Sequence, residues 1–190
     1  VYASWVTEEP STMPIPTDSW VAITAASTPV FSKDGTRVFH LRGAGLPQVW
    51  VMDADGGNAT QLSSHDEKIG TLRRSPTDDR LIWSIDAGGD ELHQLWLLEP
   101  GAEPRILTTN AQVMHNFGGW SPDGTRIAYS ANDRDPKFFD AVVMDLATGG
   151  TVRLHHGPCV ISVASWSPDG NRIAVIEDHG GIDQKLILVT

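Results

Sequence analysis

One segment recurs four times along this chain without gaps. It reads Phe31-Ser32-Lys33-Asp34-Gly35-Thr36-Arg37-Val38, then Arg74-Ser75-Pro76-Thr77-Asp78-Asp79-Arg80-Leu81, then Trp120-Ser121-Pro122-Asp123-Gly124-Thr125-Arg126-Ile127, then Trp166-Ser167-Pro168-Asp169-Gly170-Asn171-Arg172-Ile173. The serines follow one another at intervals of 43, 46 and 46 residues. A fixed period constrains a fold more than composition does. Each unit faces the same burial problem and solves it by stacking on its neighbour.

The contents of one period read as strands. After each turn motif comes a short apolar run: Arg37 to Leu41, Arg80 to Ile85, Arg126 to Ser130, Arg172 to Ile176. A second run follows a polar loop: Gln48 to Asp53, Gln94 to Leu98, Ala141 to Asp145, Lys185 to Val189. Stretches such as Leu95-Trp96-Leu97-Leu98 do not alternate, which suits a strand buried on both faces. Short closing runs come at Thr60 to Leu62, Arg105 to Leu107 and Val152 to Leu154. An innermost strand is expected before each motif, ending at Phe31, Arg74, Trp120 and Trp166. No stretch has helical periodicity, and 18 Gly and 12 Pro punctuate the chain. The expected fold is an all-β propeller of four-stranded antiparallel blades. About four blades are expected, as a closed four-blade ring or a partial propeller.

Blades are expected to start near 28, 71, 116 and 162, with the last incomplete because the chain stops at Thr190. Residues 1 to 27 form a separate N-terminal segment. Its candidate strand, Trp20 to Ala25, is placed to close the ring or to belong to a preceding blade. Within the turn motif, Pro presets φ, Asp accepts backbone N–H bonds and Gly takes positive φ. The second repeat lacks this Gly, with Thr77-Asp78-Asp79 standing there, and Asp tolerates left-handed geometry better than most residues, so the turn can survive.

Composition enters as a filter. The net charge of −10 argues against nucleic acid as a partner. Seven Trp and 40% hydrophobic residues are enough for a core. A single cysteine, Cys159, rules out an internal disulfide and a multi-cysteine zinc cage. No apolar run is long enough for a membrane-spanning helix. The start at Val1 suggests a processed or excised piece, and the lone cysteine with no leader leans toward the cytoplasm.

The Trp-Ser-Pro-Asp-Gly-x-Arg-Ile-Ala pattern resembles the WD40-like (PD40) repeat of TolB-type propellers. Two longer stretches resemble the propeller of prolyl-oligopeptidase-type (S9) serine peptidases. They are Asp86-Ala87-Gly88-Gly89-Asp90-Glu91-Leu92-His93-Gln94-Leu95 and the run from His115 to Asp140 that contains Arg134-Asp135-Pro136-Lys137-Phe138-Phe139-Asp140. The resemblance covers about residues 28 to 190. It implies a non-catalytic propeller that gates peptide substrate for an α/β-hydrolase domain absent from this chain. The alternative is a TolB-like or free-standing protein-binding module. The family's Gly-x-Ser-x-Gly elbow is missing. Gly119-Trp120-Ser121-Pro122-Asp123 comes nearest, and Ser121 reads as a turn residue, so no catalytic residue is assigned.

Other signals reduce to structure. Asp53 to Asn58 reads as a hairpin turn, since Gly57 and Ser64 stand where a calcium loop needs ligands. His155-His156 lacks a carboxylate at helical spacing and reads as an exposed or turn-satisfied pair. No metal or cofactor is expected. The substrate- or partner-facing candidates are Asp90, Glu91, His93, His115, Asn116, Asn132, Arg134 and Asp135. They fall in the loops between second and third strands or in an inter-blade connection, which share one face of a propeller. The opposing reading is solvated loops held by internal Asp–Arg pairs. An open set of blades would expose an apolar face and a strand edge, inviting self-association.

Overall fold

The inner strand of every repeat ends where its turn motif begins, because Ser and Asp there gather the backbone of the next five residues. Ser121 Oγ donates to Asp123 Oδ1 (2.6 Å) and accepts from Arg126 N (2.9 Å); Asp123 Oδ1 also accepts from Thr125 N (3.0 Å). Ser32–Asp34 and Ser167–Asp169 repeat this arrangement. Gly35, Gly124 and Gly170 turn the chain at φ of 75°, 69° and 69°. These three-bond carboxylates are strongly acidic. The Ser121 and Thr125 donors hold Asp123 at about 2, and those of Ser32 and Thr36 do the same for Asp34.

The computed structural model describes residues 25–43 and 45–190. Fifteen strands and no helix are present among them. Most of the candidate strand Trp20 to Ala25 lies outside the described residues; Ala25 itself opens β1. The first meander is β1 (Ala25–Phe31), β2 (Arg37–Gly43), β3 (Gln48–Asp53) and β4 (Thr60–Gln61). A second contains β5 (Ile69–Arg74), β6 (Leu81–Ile85), β7 (Gln94–Leu98) and β8 (Arg105–Ile106). The third runs through β9 (His115–Trp120), β10 (Arg126–Asp135), β11 (Phe138–Asp145) and β12 (Thr151–His155). A fourth has three strands, β13 (Val160–Trp166), β14 (Ile173–Asp178) and β15 (Gln184–Val189). All pairing within a meander is antiparallel, and one parallel bridge, Phe139 to Val160, joins the last two. The pairing of inner with second strand carries a bulge in each meander, which adds local twist.

Three cores lie between successive meanders. β6 serves two of them. Leu81, Trp83 and Ile85 pack toward the first meander, while Ile82 faces the third, and all four are buried. All five residues of β6 are buried, Ser84 among them, so it is a strand buried on both faces. Between the third and fourth meanders, Ala128, Ala141 and Val143 meet Ile161, Ile173 and Val175. Gly118 permits that close approach, since a Cβ there would stand 2.3 Å from Val163 Cβ.

An arginine clamp repeats beside these cores. The Arg80 guanidinium lies 5.3 Å from the Trp120 ring centroid and donates to Gly124 O (2.7 Å). Arg126 does the same to Trp166 (5.0 Å) and Gly170 O (3.2 Å). The first junction differs because the second repeat has Arg74 and Asp78 in place of Trp and Gly. Arg37 pairs instead with Asp79 (3.3 Å). The turn survives without left-handed backbone at Asp78, whose φ is not positive: Ser75 N still donates to Arg80 O (2.8 Å). The Asp78 carboxylate turns to Arg80 (2.8 Å), so an ion pair takes over from the glycine turn.

Candidate functional site

On the face opposite the turns, the third strand of each of the first two meanders begins with a glutamine that ties a loop to an inter-meander connection. Gln48, opposite Arg42, donates through Nε2 to His65 O and Glu67 O (3.1 and 3.0 Å). Gln94, opposite Ile85, donates to Leu92 O, Asn110 O and Val113 O. In the third meander this register position, opposite Ala131, holds Asp140. A carboxylate cannot donate, so Arg134 does. Its Nε and Nη2 grip the two Asp140 oxygens at 2.8 Å each, and Nη2 also reaches Gly157 O (2.7 Å).

Arg153 of β12 completes this network. Its Nε is 3.0 Å from Asp140 Oδ2 and its Nη2 is 2.7 Å from Asp133 Oδ2. Asp140 is wholly buried, and two guanidiniums compensate its charge.

Beside the network opens a cavity of about 340 Å³ between the second and third meanders. Its polar lining is His115, Tyr129, Asp133, Arg153, Asn110 and Thr151. Burial keeps the His115 imidazole below its usual range, hence neutral at pH 7, and pushes the Tyr129 phenol up to about 12. His115 Nδ1 lies 3.2 Å from His93 O, and its ring is 5.8 Å from that of Tyr129. Neutral imidazole, phenol and an Arg–Asp pair offer hydrogen bonding and charge recognition. Ser121 sits elsewhere, fully buried in its turn.

The eight candidates separate accordingly. His115 alone of them lines the cavity and is joined to His93 through that residue's carbonyl (3.2 Å), while Asn132 Oδ1 accepts from Met114 N (2.8 Å). Arg134 is held by Asp140. Asp135 caps its own hairpin through Lys137 N (2.9 Å). Asn116 is exposed on β9, paired with Ser130. The hydrogen bonds of Asp90 stay inside its loop: the carboxylate accepts from Leu92 N (2.9 Å). Glu91 is held at a strained φ of 63°. Sequence reasoning passed over Tyr129, Asp140 and Arg153. Tyr129 and Arg153 lie inside strands, where the reading looked for core, and only the final Asp of the Arg134–Asp140 segment hinted at its partner.

No protein-family model matches the sequence, and no curated protein matches it. Solved structures do. A putative TolB from Agrobacterium tumefaciens superposes with a TM-score of 0.64 at 23% identity, over 86% of this chain and 57% of that one. A puromycin-hydrolyzing peptidase of Mycobacterium tuberculosis gives 0.67 at 16% identity, over 87% and 29%. A prolyl endopeptidase gives 0.68 at 14%, over 87% and 28%. These neighbours are TolB and prolyl-oligopeptidase-type propeller proteins, and the chain has the strand architecture of their propellers. It spans between 28% and 57% of the length of these three proteins.

Proposed function

We propose that the chain is the non-catalytic propeller part of an S9-type serine peptidase, which positions or restricts peptide substrate for a separate α/β-hydrolase domain. The polar cavity between the second and third meanders carries this reading. It lies on the loop-bearing face and combines Arg153, Asp133, His115 and Tyr129, groups suited to a peptide's termini and amides. The Asp86–Leu95 and Arg134–Asp140 segments support it, since both build that face.

The test begins with the coding sequence on either side of this piece. A downstream segment with Gly-x-Ser-x-Gly, Asp and His is expected. In the intact enzyme, Arg153→Ala is then expected to raise KM for a long peptide while leaving kcat for a single-residue nitroanilide unchanged. A reading frame without a hydrolase segment would overturn the proposal. That outcome favours the second reading, a TolB-like protein-binding module, which the 23% identity to the putative TolB supports.

A ring closed by four blades and a partial propeller predict different solution behaviour. Leu186 and Leu188 are 69% and 61% exposed, on the fourth-meander face equivalent to those that pack elsewhere. Arg172 is exposed at the clamp-donating position, and Phe31, at the receiving one, is 59% exposed. The two ends thus offer complementary surfaces, which supports head-to-tail association of the isolated chain. Sedimentation velocity is expected to show concentration-dependent association that Leu188→Asp weakens. A monomer at every concentration would favour the closed ring.

A further inference from the structure

The last two meanders bring four side chains together where no motif announces them. His155 ends β12, Cys159 precedes β13, Glu177 lies in β14, and His179 follows that strand. Ligand atoms of Cys159, Glu177 and His179 all lie within 4.8 Å of one another. Glu177 Oε2 is 3.1 Å from His179 Nε2, and Glu177 Oε1 is 2.7 Å from His155 Nε2. Cys159 is free and buried, while His155 and His179 are about a quarter exposed and leave an entry path.

A thiolate, an imidazole and one carboxylate oxygen form a donor set suited to a zinc-class cation and poorly suited to calcium or magnesium. Tetrahedral zinc bonds of about 2.0–2.3 Å place ligand atoms roughly 3.3–3.8 Å apart, within reach by small side-chain rotations. Binding exchanges the Cys159 S–H bond for an S–metal bond and releases one proton, and the thiolate and carboxylate then balance the ion's charge. We propose that Cys159 Sγ, Glu177 Oε2 and His179 Nε2 bind a zinc-class divalent cation, with His155 positioning the Glu177 carboxylate through Oε1. Such an ion would staple the connection after β12 to the end of β14, on the loop-bearing face of the third junction. That junction has neither of the Gln ties of the first two.

Cobalt(II) is the direct probe. Titrating the reduced, chelator-treated chain is expected to give a near-ultraviolet sulfur-to-cobalt charge-transfer band that saturates at one equivalent and is bleached by zinc. Cys159→Ser is expected to abolish the band, and His179→Ala to weaken binding at least tenfold. His155→Ala is expected to weaken it about tenfold, as for other groups that orient a ligand. His156→Ala, an exposed neighbour, serves as control and leaves the titration unchanged. Circular dichroism of each variant separates lost binding from lost folding. A titration without the charge-transfer band, or one that persists in folded Cys159→Ser, would overturn the site.

Discussion

The turn-bearing face and the loop-bearing face of this molecule are built on opposite plans. On the first, one device recurs: Ser32–Asp34, Ser121–Asp123 and Ser167–Asp169 make the same bonds, and Arg80 and Arg126 make the same clamp. On the second, a single register position holds Gln48, Gln94 and then Asp140, each with different partners. Repetition marks residues that every meander needs for its own fold. Divergence marks where charge, cavity and candidate ligands gather.

The difference is open to measurement, most strongly at Asp140. Asp140→Ala would leave Arg134 and Arg153 without their shared carboxylate, at a cost of about 2 kcal/mol, since water screens the two guanidiniums, each 35% exposed. Urea denaturation of this variant beside Asp135→Ala, expected within about 0.5 kcal/mol of the parent, checks it. Equal effects would mean that the buried Asp140 carboxylate is no more important than the hairpin cap of Asp135. Gly118→Ala comes next. Its Cβ would meet Val163 Cβ at 2.3 Å, and overpacking of this kind costs about 2 kcal/mol, read as a lower urea midpoint.

Smaller effects probe the repeated face. Arg126→Ala removes the Trp166 stack and the Gly170 bond, a loss of about 1 kcal/mol. Arg172→Ala, at the same motif position but exposed, is expected to change stability by less than about 0.5 kcal/mol. Thermal melts of the pair show whether the clamp works by its neighbour or by its own turn. The smallest effect is in pH. Ser121 and Thr125 hold Asp123 at about 2, below its ordinary 3.8. The unfolded chain therefore takes up the proton first, so the stability this group contributes is present above pH 4 and is lost as pH falls toward 2. Asp123→Asn is expected to flatten that part of the pH–stability curve.

Much of the fold was legible before any coordinates. The third strands Gln48–Asp53 and Gln94–Leu98 were bounded to the residue, because Gly-rich turns and polar loops delimit short apolar runs. Less of the candidate site was legible. The Asp–Arg pairing of the loops was foreseen as one reading, and Arg134–Asp140 is such a pair. His115 was expected in an inter-blade connection; it is the first residue of β9, where its ring reaches His93 O and Tyr129. Tyr129 was not found because it sits in β10 among residues that belong to the core, and Arg153 because it sits in the short, largely exposed β12 with no local motif to mark it. His155 was read as exposed or turn-satisfied. It is instead half-buried and bonded to Glu177, 22 residues away, which no local spacing reveals.

The sequence by itself determined the all-β architecture, its period and its turns, because those depend on bonds between residues at most five apart and on a pattern repeated four times. Only the tertiary structure decided which charges meet. Asp140 with Arg153, and Cys159 with Glu177 and His179, are brought together by strand register and by the packing of one meander on the next. Those long-range contacts follow from how cores fit, and no single repeat encodes them.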